Sequence, residues 1–261
     1  ISRRPIGVGQ MFSSTSNLAV SYSVPNNAPV KLVGTGKDAK LVFKTSKDGF
    51  SKNDLKGKFS GDTMSFDITV TQAGTSSGDP QYHAAESVTR TIKLMKPTKS
   101  LFFEERKADA RYDDMKTKAM NRMPAGVSGE KATALFDSDT YDSDGDGVSN
   151  LLERAFGGDS LSSDAKTTLP RSIRQKDGKQ RITFQQYSTE YNSEEIEYIV
   201  ETSTDLRTWT TTGTTQVDLN GGDTGSGIDI GGGMERVLWE TSGTASSKGG
   251  KQFLRVRVRT K

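Results

Sequence analysis

The chain has 261 residues, enough for two domains of ordinary size. Only 31% of residues are hydrophobic and 27 are glycine, which suits thin sandwich cores and argues against one large α/β core. A net charge of +3 calls for neither nucleic acid nor an anionic membrane as partner, and the absence of cysteine removes disulfides, thiolate metal sites and a cysteine nucleophile.

Residues 1–98 read as short strands between turn signals. Leu18, Val20, Tyr22 and Val24 alternate with small polar residues, and Pro25-Asn26-Asn27 ends the run. Val30 to Val33 and Ala39 to Lys44 follow, parted by a glycine-rich turn. Residues 45–63 read as a long polar loop or hairpin. Phe66, Ile68 and Val70 alternate with Asp67 and Thr69, and Val88 to Met95 makes a last strand. This many short strands suggest a small sandwich of immunoglobulin type.

Residues 99–124 change period. Ala108, Tyr112, Met115, Ala119 and Met123 share one helical face, which predicts a single helix capped by Ser100 and stopped by Pro124 and Gly126. The Met and Tyr stripe is expected to pack on a neighbouring domain or subunit. Residues 125–136 read as a linker.

Asp142 to Glu153 is the most informative stretch. Asp142, Asp144 and Asp146 stand at alternate positions, Gly147 follows, and Glu153 closes the run, matching the calcium-loop pattern D-x-[DN]-x-[DN]-G-x5-E. Calcium takes six to eight oxygens, so closely spaced carboxylates suit it. Asp142, Asp144, Asp146, the backbone carbonyl of Val148, Asn150 and a bidentate Glu153 are the expected ligands. Magnesium is the weaker choice, because it keeps its waters. Ser149 stands where a paired EF-hand loop has an apolar residue, so an unpaired structural clip is expected. Asp137, Asp139 and Asp159 flank the loop and are candidates for a second ion or for solvated turns.

Residues 166–261 return to strands. Arg181 to Gln185 is one. Ile196, Tyr198, Val200 and Thr202 share a face opposite Glu195, Glu197 and Glu201. Val237 to Glu240 and Gln252 to Thr260 follow a glycine-rich loop over 221–233, which fits no phosphate or dinucleotide motif. In the last strand Arg255, Arg257 and Arg259 alternate with Leu254, Val256 and Val258. The expectation is that this strand lies antiparallel to 196–202 and that its arginines pair with the three glutamates.

Two resemblances accompany these readings. Asp67 to Gly74, Tyr82-His-Ala-Ala85 and Val88 to Leu94 are similar to the end of bacterial immunoglobulin-like repeats. Asp142 to Asp159, Leu169-Pro170, Tyr198 to Trp209 and Phe253 to Val258 occur in that order, and resemble the C-terminal module of large exported bacterial surface proteins. There a loop like a thrombospondin type 3 repeat precedes a small β-domain. The resemblance implies metal ligation by Asp142, Asp144, Asp146, Asn150 and Glu153. Arg154 replaces the family's aromatic, read here as a surface adaptation, and Gly158-Asp159-Ser160 replaces Thr-Asp-Pro.

Catalysis is not expected. His83 is the lone histidine, and zinc ligands are missing. No apolar run reaches spanning length, so membrane insertion is not expected. No signal peptide is visible, and the start at Ile1 reads as processing of an exported precursor. The expected fold is mainly β: an immunoglobulin-like sandwich (1–98), a helical linker (99–136), a calcium loop (137–165) and a C-terminal sandwich (166–261), joined by one helix. The expected function is a non-catalytic, calcium-stabilised, extracellular structural protein that assembles with copies of itself at the cell surface or in a filament. The competing reading is a carbohydrate-binding or adhesion module of a larger secreted protein, with Trp209, Trp239 and Tyr198 as a platform for polysaccharide.

Overall fold

A computed structural model describes residues 6–9, 12, 18–50, 52–75, 77, 82–174, 177–192, 195–219, 227–243 and 251–261. Strands hold 36% of the described residues and helices 20%, so the fold is mainly β, with several sheets. The chain divides into two compact units, Ile1–Lys96 and Pro97–Lys261.

Among the described residues the first unit has two three-stranded antiparallel sheets. β1 (Ile6–Gly7), β4 (Lys40–Phe43) and β3 (Val30–Val33) form one in that order; β2 (Val20–Ser23), β5 (Thr63–Gln72) and β6 (Ala85–Met95) form the other. Alternation decides what is buried. Met64, Ile68 and Val70 of β5, Leu94 of β6, Val30 of β3 and Leu41 of β4 point inward. The polar stretch over 45–62 folds as two 3-10 turns, Ser46–Asp48 and Lys52–Leu55, rather than as a hairpin. Its apolar residues Phe50 and Leu55 are buried, and the Asp48 carboxylate accepts from Thr45 N at 2.9 Å.

The second unit begins with helices: α1 (Lys99–Lys107), α2 (Tyr112–Met120), α3 (Gly129–Phe136), α4 (Asn150–Phe156) and α5 (Ala165–Thr168). The single helix expected over 99–124 is thus two. The break falls at 108–111, where the Asp109 carboxylate accepts from Arg111 N at 2.9 Å and competes with the helical ladder. Thr98, not Ser100, caps α1, accepting from Leu101 N at 3.1 Å. The expected linker over 125–136 contains α3. The stripe of Tyr112, Met115, Ala119 and Met123 packs on Phe136 of α3 and on Leu161, inside its own unit rather than against another domain.

Strands follow: β7 (Arg171–Arg174), β8 (Gln180–Tyr187), β9 (Ile196–Ser203), β10 (Thr214–Val217), β11 (Ile228–Gly231), β12 (Met234–Thr241) and β13 (Phe253–Thr260). One sheet runs β10-β12-β8-β7 with β11 beside β12; β9 pairs with β13. Residues 220–226 of the glycine-rich loop lie outside the described residues. Ile182 and Phe184 of β8, Val200 of β9, Val237 of β12 and Phe156 of α4 share one core, joined by Leu152, Tyr198, Trp239 and Leu254. The helix leaving the acidic loop is therefore embedded in the C-terminal β core.

Candidate metal centre

The loop between α3 and α4 is shaped by its own aspartates. Asp142 accepts from Gly145 N and Gly147 N, both at 2.8 Å; Asp144 accepts from Asp146 N and Asp146 from Val148 N, both at 3.0 Å. Each short carboxylate bends the chain onto itself, as Asx turns do. Gly147 adopts φ 94°, a left-handed conformation that a side chain resists, and this lets the chain reverse. Arg122, just beyond α2, donates to the Ser143 carbonyl at 2.7 Å and holds the loop from outside.

This folding brings one carboxylate oxygen each from Asp142, Asp144 and Asp146 within 4.8 Å of one another. A second triad within the same distance joins Asp146, Glu153 and Asp164. Two Ca–O bonds of about 2.4 Å span that separation, so either triad can share a calcium ion. Asp164 is a residue that sequence reasoning missed. It lies outside the twelve-residue pattern and comes from the turn before α5. Its Oδ1 accepts from Thr168 Oγ1 at 2.7 Å, while its backbone N–H, with that of Ala165, donates to Asp146 Oδ2 at 2.9 and 2.7 Å. None of these bonds has a signal in the sequence.

Glu153 is the most unusual group of the centre. It is 1% exposed, and neither carboxylate oxygen has a hydrogen-bond partner. Burial, then the charges of Asp164, Asp146, Asp144 and Asp159, push it up to about 9. Asp144 is pushed up to about 6 by burial and by Asp146 and Asp142, and its Oδ2 is also buried without a partner. A buried, unpaired carboxylate costs several kcal/mol in round terms, about what a coordinated cation recovers. A proton alone leaves these oxygens without partners. The donors are all hard oxygens, which is the set that calcium selects. Gly158 belongs to the same packing: a Cβ there would lie 1.6 Å from Glu153 Oε2.

Two expected ligands behave differently. Val148 is buried, and its N–H serves Asp146. The Asn150 side chain is fully buried, where Nδ2 donates to the Phe136 and Ser138 carbonyls at 2.9 and 2.7 Å and Oδ1 accepts from Ser143 Oγ at 2.8 Å. Arg106 completes that hub, donating to Ser143 Oγ at 2.8 Å with its guanidinium 4.6 Å from the Phe136 ring centroid. Asn150 thus ties the loop to α3 and α1.

The flanking aspartates meet cationic side chains. Asp137 lies 3.4 Å from Arg106 and accepts from Tyr112 at 2.9 Å; Asp139 meets Lys99 at 2.9 Å and Arg154 at 3.7 Å; Asp159 meets Arg111 at 2.9 Å. Arg154 is no surface adaptation. It is 2% exposed and pairs with Glu195 at 3.1 Å. Glu195 also accepts from Lys99 N at 2.7 Å, at the start of α1 where a negative charge is favoured, and so leaves the arginine row.

That row is otherwise as expected. β13 lies antiparallel to β9 with Arg255 opposite Glu201 and Arg259 opposite Glu197. Arg255 and Arg257 meet Glu201 at 2.8 and 3.2 Å, and Arg259 pairs with Glu197. The three aromatics of the platform reading are not gathered on one exposed face. Tyr198 and Trp239 pack on the core, and Trp209 is half-buried with the Arg255 guanidinium 4.0 Å from its ring centroid. His83 is exposed ahead of β6. Comparison of the chain with protein-family models, with curated proteins and with solved structures finds no match.

Proposed function

We propose that this chain is a non-catalytic structural protein of the cell exterior, built from two small immunoglobulin-like sandwiches and stabilised by calcium at the acidic loop. The observation that carries the reading is Glu153, sealed from solvent among Asp144, Asp146 and Asp164 with both oxygens unpartnered. Asp142, Asp144, Asp146 and Glu153 would hold the ion, the Val148 carbonyl is a further ligand of this reading, and Asn150 supports the loop from behind. When bound, calcium supplies positive charge and a rigid coordination shell. The protein's part is to bring α3, the loop and α4 to one point, so that loading the site braces the helices against the C-terminal β core.

An extracellular setting suits such a site, because extracellular modules work with calcium Kd values of about 10⁻⁴ to 10⁻³ M. Self-association is the second half of the proposal. β6 is a long strand that pairs with β5 alone among the described residues, and its residues 85–91 are exposed, an arrangement open to strand addition by another copy.

Thermal melting with calcium and with excess chelator tests the first half: calcium should raise Tm, and coincident curves would overturn the reading. Sedimentation velocity at rising protein concentration tests the second, with larger species expected in calcium. A monodisperse monomer at the highest concentration would refute assembly.

A further inference from the structure

We infer that Asp146, Glu153 and Asp164 form a divalent-cation position of their own, so that the centre holds two ions that share Asp146. The inference rests on the calcium reading above and extends it beyond the loop.

Geometry gives the first reason. The carboxylate oxygens sort into two triads that meet only at Asp146: Asp142 and Asp144 belong to one, Glu153 and Asp164 to the other. One calcium ion spans oxygens about 4.8 Å apart at most, twice its bond length, so the single ion of the reading above divides into two: an ion seated among Asp142, Asp144 and Asp146 leaves Glu153 and Asp164 to a second. Glu153 gives the second reason, and it is independent of the clustering. Its two oxygens are buried and unpartnered, and it is grouped with Asp164, a residue that the loop pattern does not include. Water cannot reach it to repay its desolvation.

Charge gives the third. Among the described residues, none of Asp142, Asp144, Asp146, Glu153 and Asp164 forms an ion pair, while the nearby cations are engaged elsewhere: Arg106 on Asp137, Arg111 on Asp109 and Asp159, Arg154 on Glu195 and Asp139. One divalent ion against these five carboxylates leaves three negative charges, and two leave one. The second triad is also preset. Thr168 Oγ1 and Asp159 N donate to the two oxygens of Asp164 at 2.7 and 3.2 Å, fixing the carboxylate as outer hydrogen bonds fix metal ligands elsewhere. Gly158 leaves the space that Glu153 Oε2 occupies. An ion here joins the loop, α4 and α5 through one ligand each, and so extends the brace to the segment that enters β7.

The test is a calcium count on the whole chain after chelator treatment, by isothermal titration and native mass spectrometry. Two ions per chain are expected. Asp164→Asn should leave one, with the first step unchanged, and Asp142→Asn should instead abolish the loop step. A manganese-soaked crystal should give two anomalous peaks, one of them between Glu153 and Asp164. A single ion in the wild type, or a count that Asp164→Asn leaves at two, overturns the inference while the calcium reading stands. A count of zero overturns both. If Asp164→Asn does not fold, the wild-type count and the anomalous peaks decide.

Discussion

Glu197 and Glu201 on β9 face arginines of β13, whereas Asp144, Asp146, Glu153 and Asp164 face one another. Both groups are acidic and both lie in the same compact unit. The ladder on β9 and β13 is neutralised from within the chain, by guanidinium groups that reach it across a sheet. Among the described residues the centre around Glu153 has no such partner, although arginines serve Asp137, Asp139 and Asp159 beside it. The contrast teaches where an outside cation is needed: where the fold has spent its own positive charge elsewhere and still buries carboxylates.

The comparison can be broken most sharply at Arg154. It is the buried partner of Glu195 and Asp139, and removing one side of a buried pair leaves an uncompensated charge. Arg154→Ala should cost about 3–5 kcal/mol in chemical denaturation, calcium or not. Emptying one calcium site should cost less: at a calcium concentration a hundredfold above Kd, each site contributes about 2.7 kcal/mol, to be read as a fall in Tm on adding excess chelator.

Glu153→Gln sharpens the comparison by changing sign. Without calcium the variant removes a buried carboxylate crowded by its neighbours and should melt above the wild type. With calcium it removes a ligand and should melt below it. The same order in both buffers would show that Glu153 is merely a buried acid. Gly158→Ala forces Glu153 away through a Cβ that would lie 1.6 Å from its Oε2, so it should weaken calcium binding in titration while the chelated protein changes less.

The smallest effects belong to the ladder. Arg255 is 42% exposed, and Arg255→Ala should cost only about 0–1 kcal/mol. Its carboxylates set a pH dependence with a definite sign. Hydrogen bonds from Arg257 to Glu201 and from Arg259 to Glu197 hold both acids below the usual 4.5. Their contribution is therefore complete above about pH 4.5 and fades as pH falls through the lower folded values. Glu201→Gln should flatten this acid limb in urea denaturation from about pH 6 to pH 3, and an unchanged limb would remove Glu201 from the account.

Much of this molecule was legible along the chain. Period-two alternation located the main strands, because a strand with one buried face must alternate; Met64, Ile68 and Val70 show it. The antiparallel pairing of β9 with β13 followed from two rows of opposite charge. Asp142, Asp144 and Asp146 announced their loop because turn chemistry and ligation both need those residues at that spacing. The helical segment was less legible. Its period is correct, yet Asp109 interrupts it with a local turn that no periodicity reveals.

Packing decided the rest. Asn150 fits the ligand pattern by position, but the buried hub of Phe136, Ser138 and Ser143 takes its amide. Arg154 became a buried ion-pair centre because Glu195, far away in sequence, folds against it. Asp164 joined the acidic centre through contacts between α5 and the loop. A pattern along the chain records which groups are near in sequence, and so it determined the loop, the strands and their faces. Charge compensation between distant segments exists only once they are packed, and that is why tertiary structure alone decided which acids are paired within the chain and which are left to a cation.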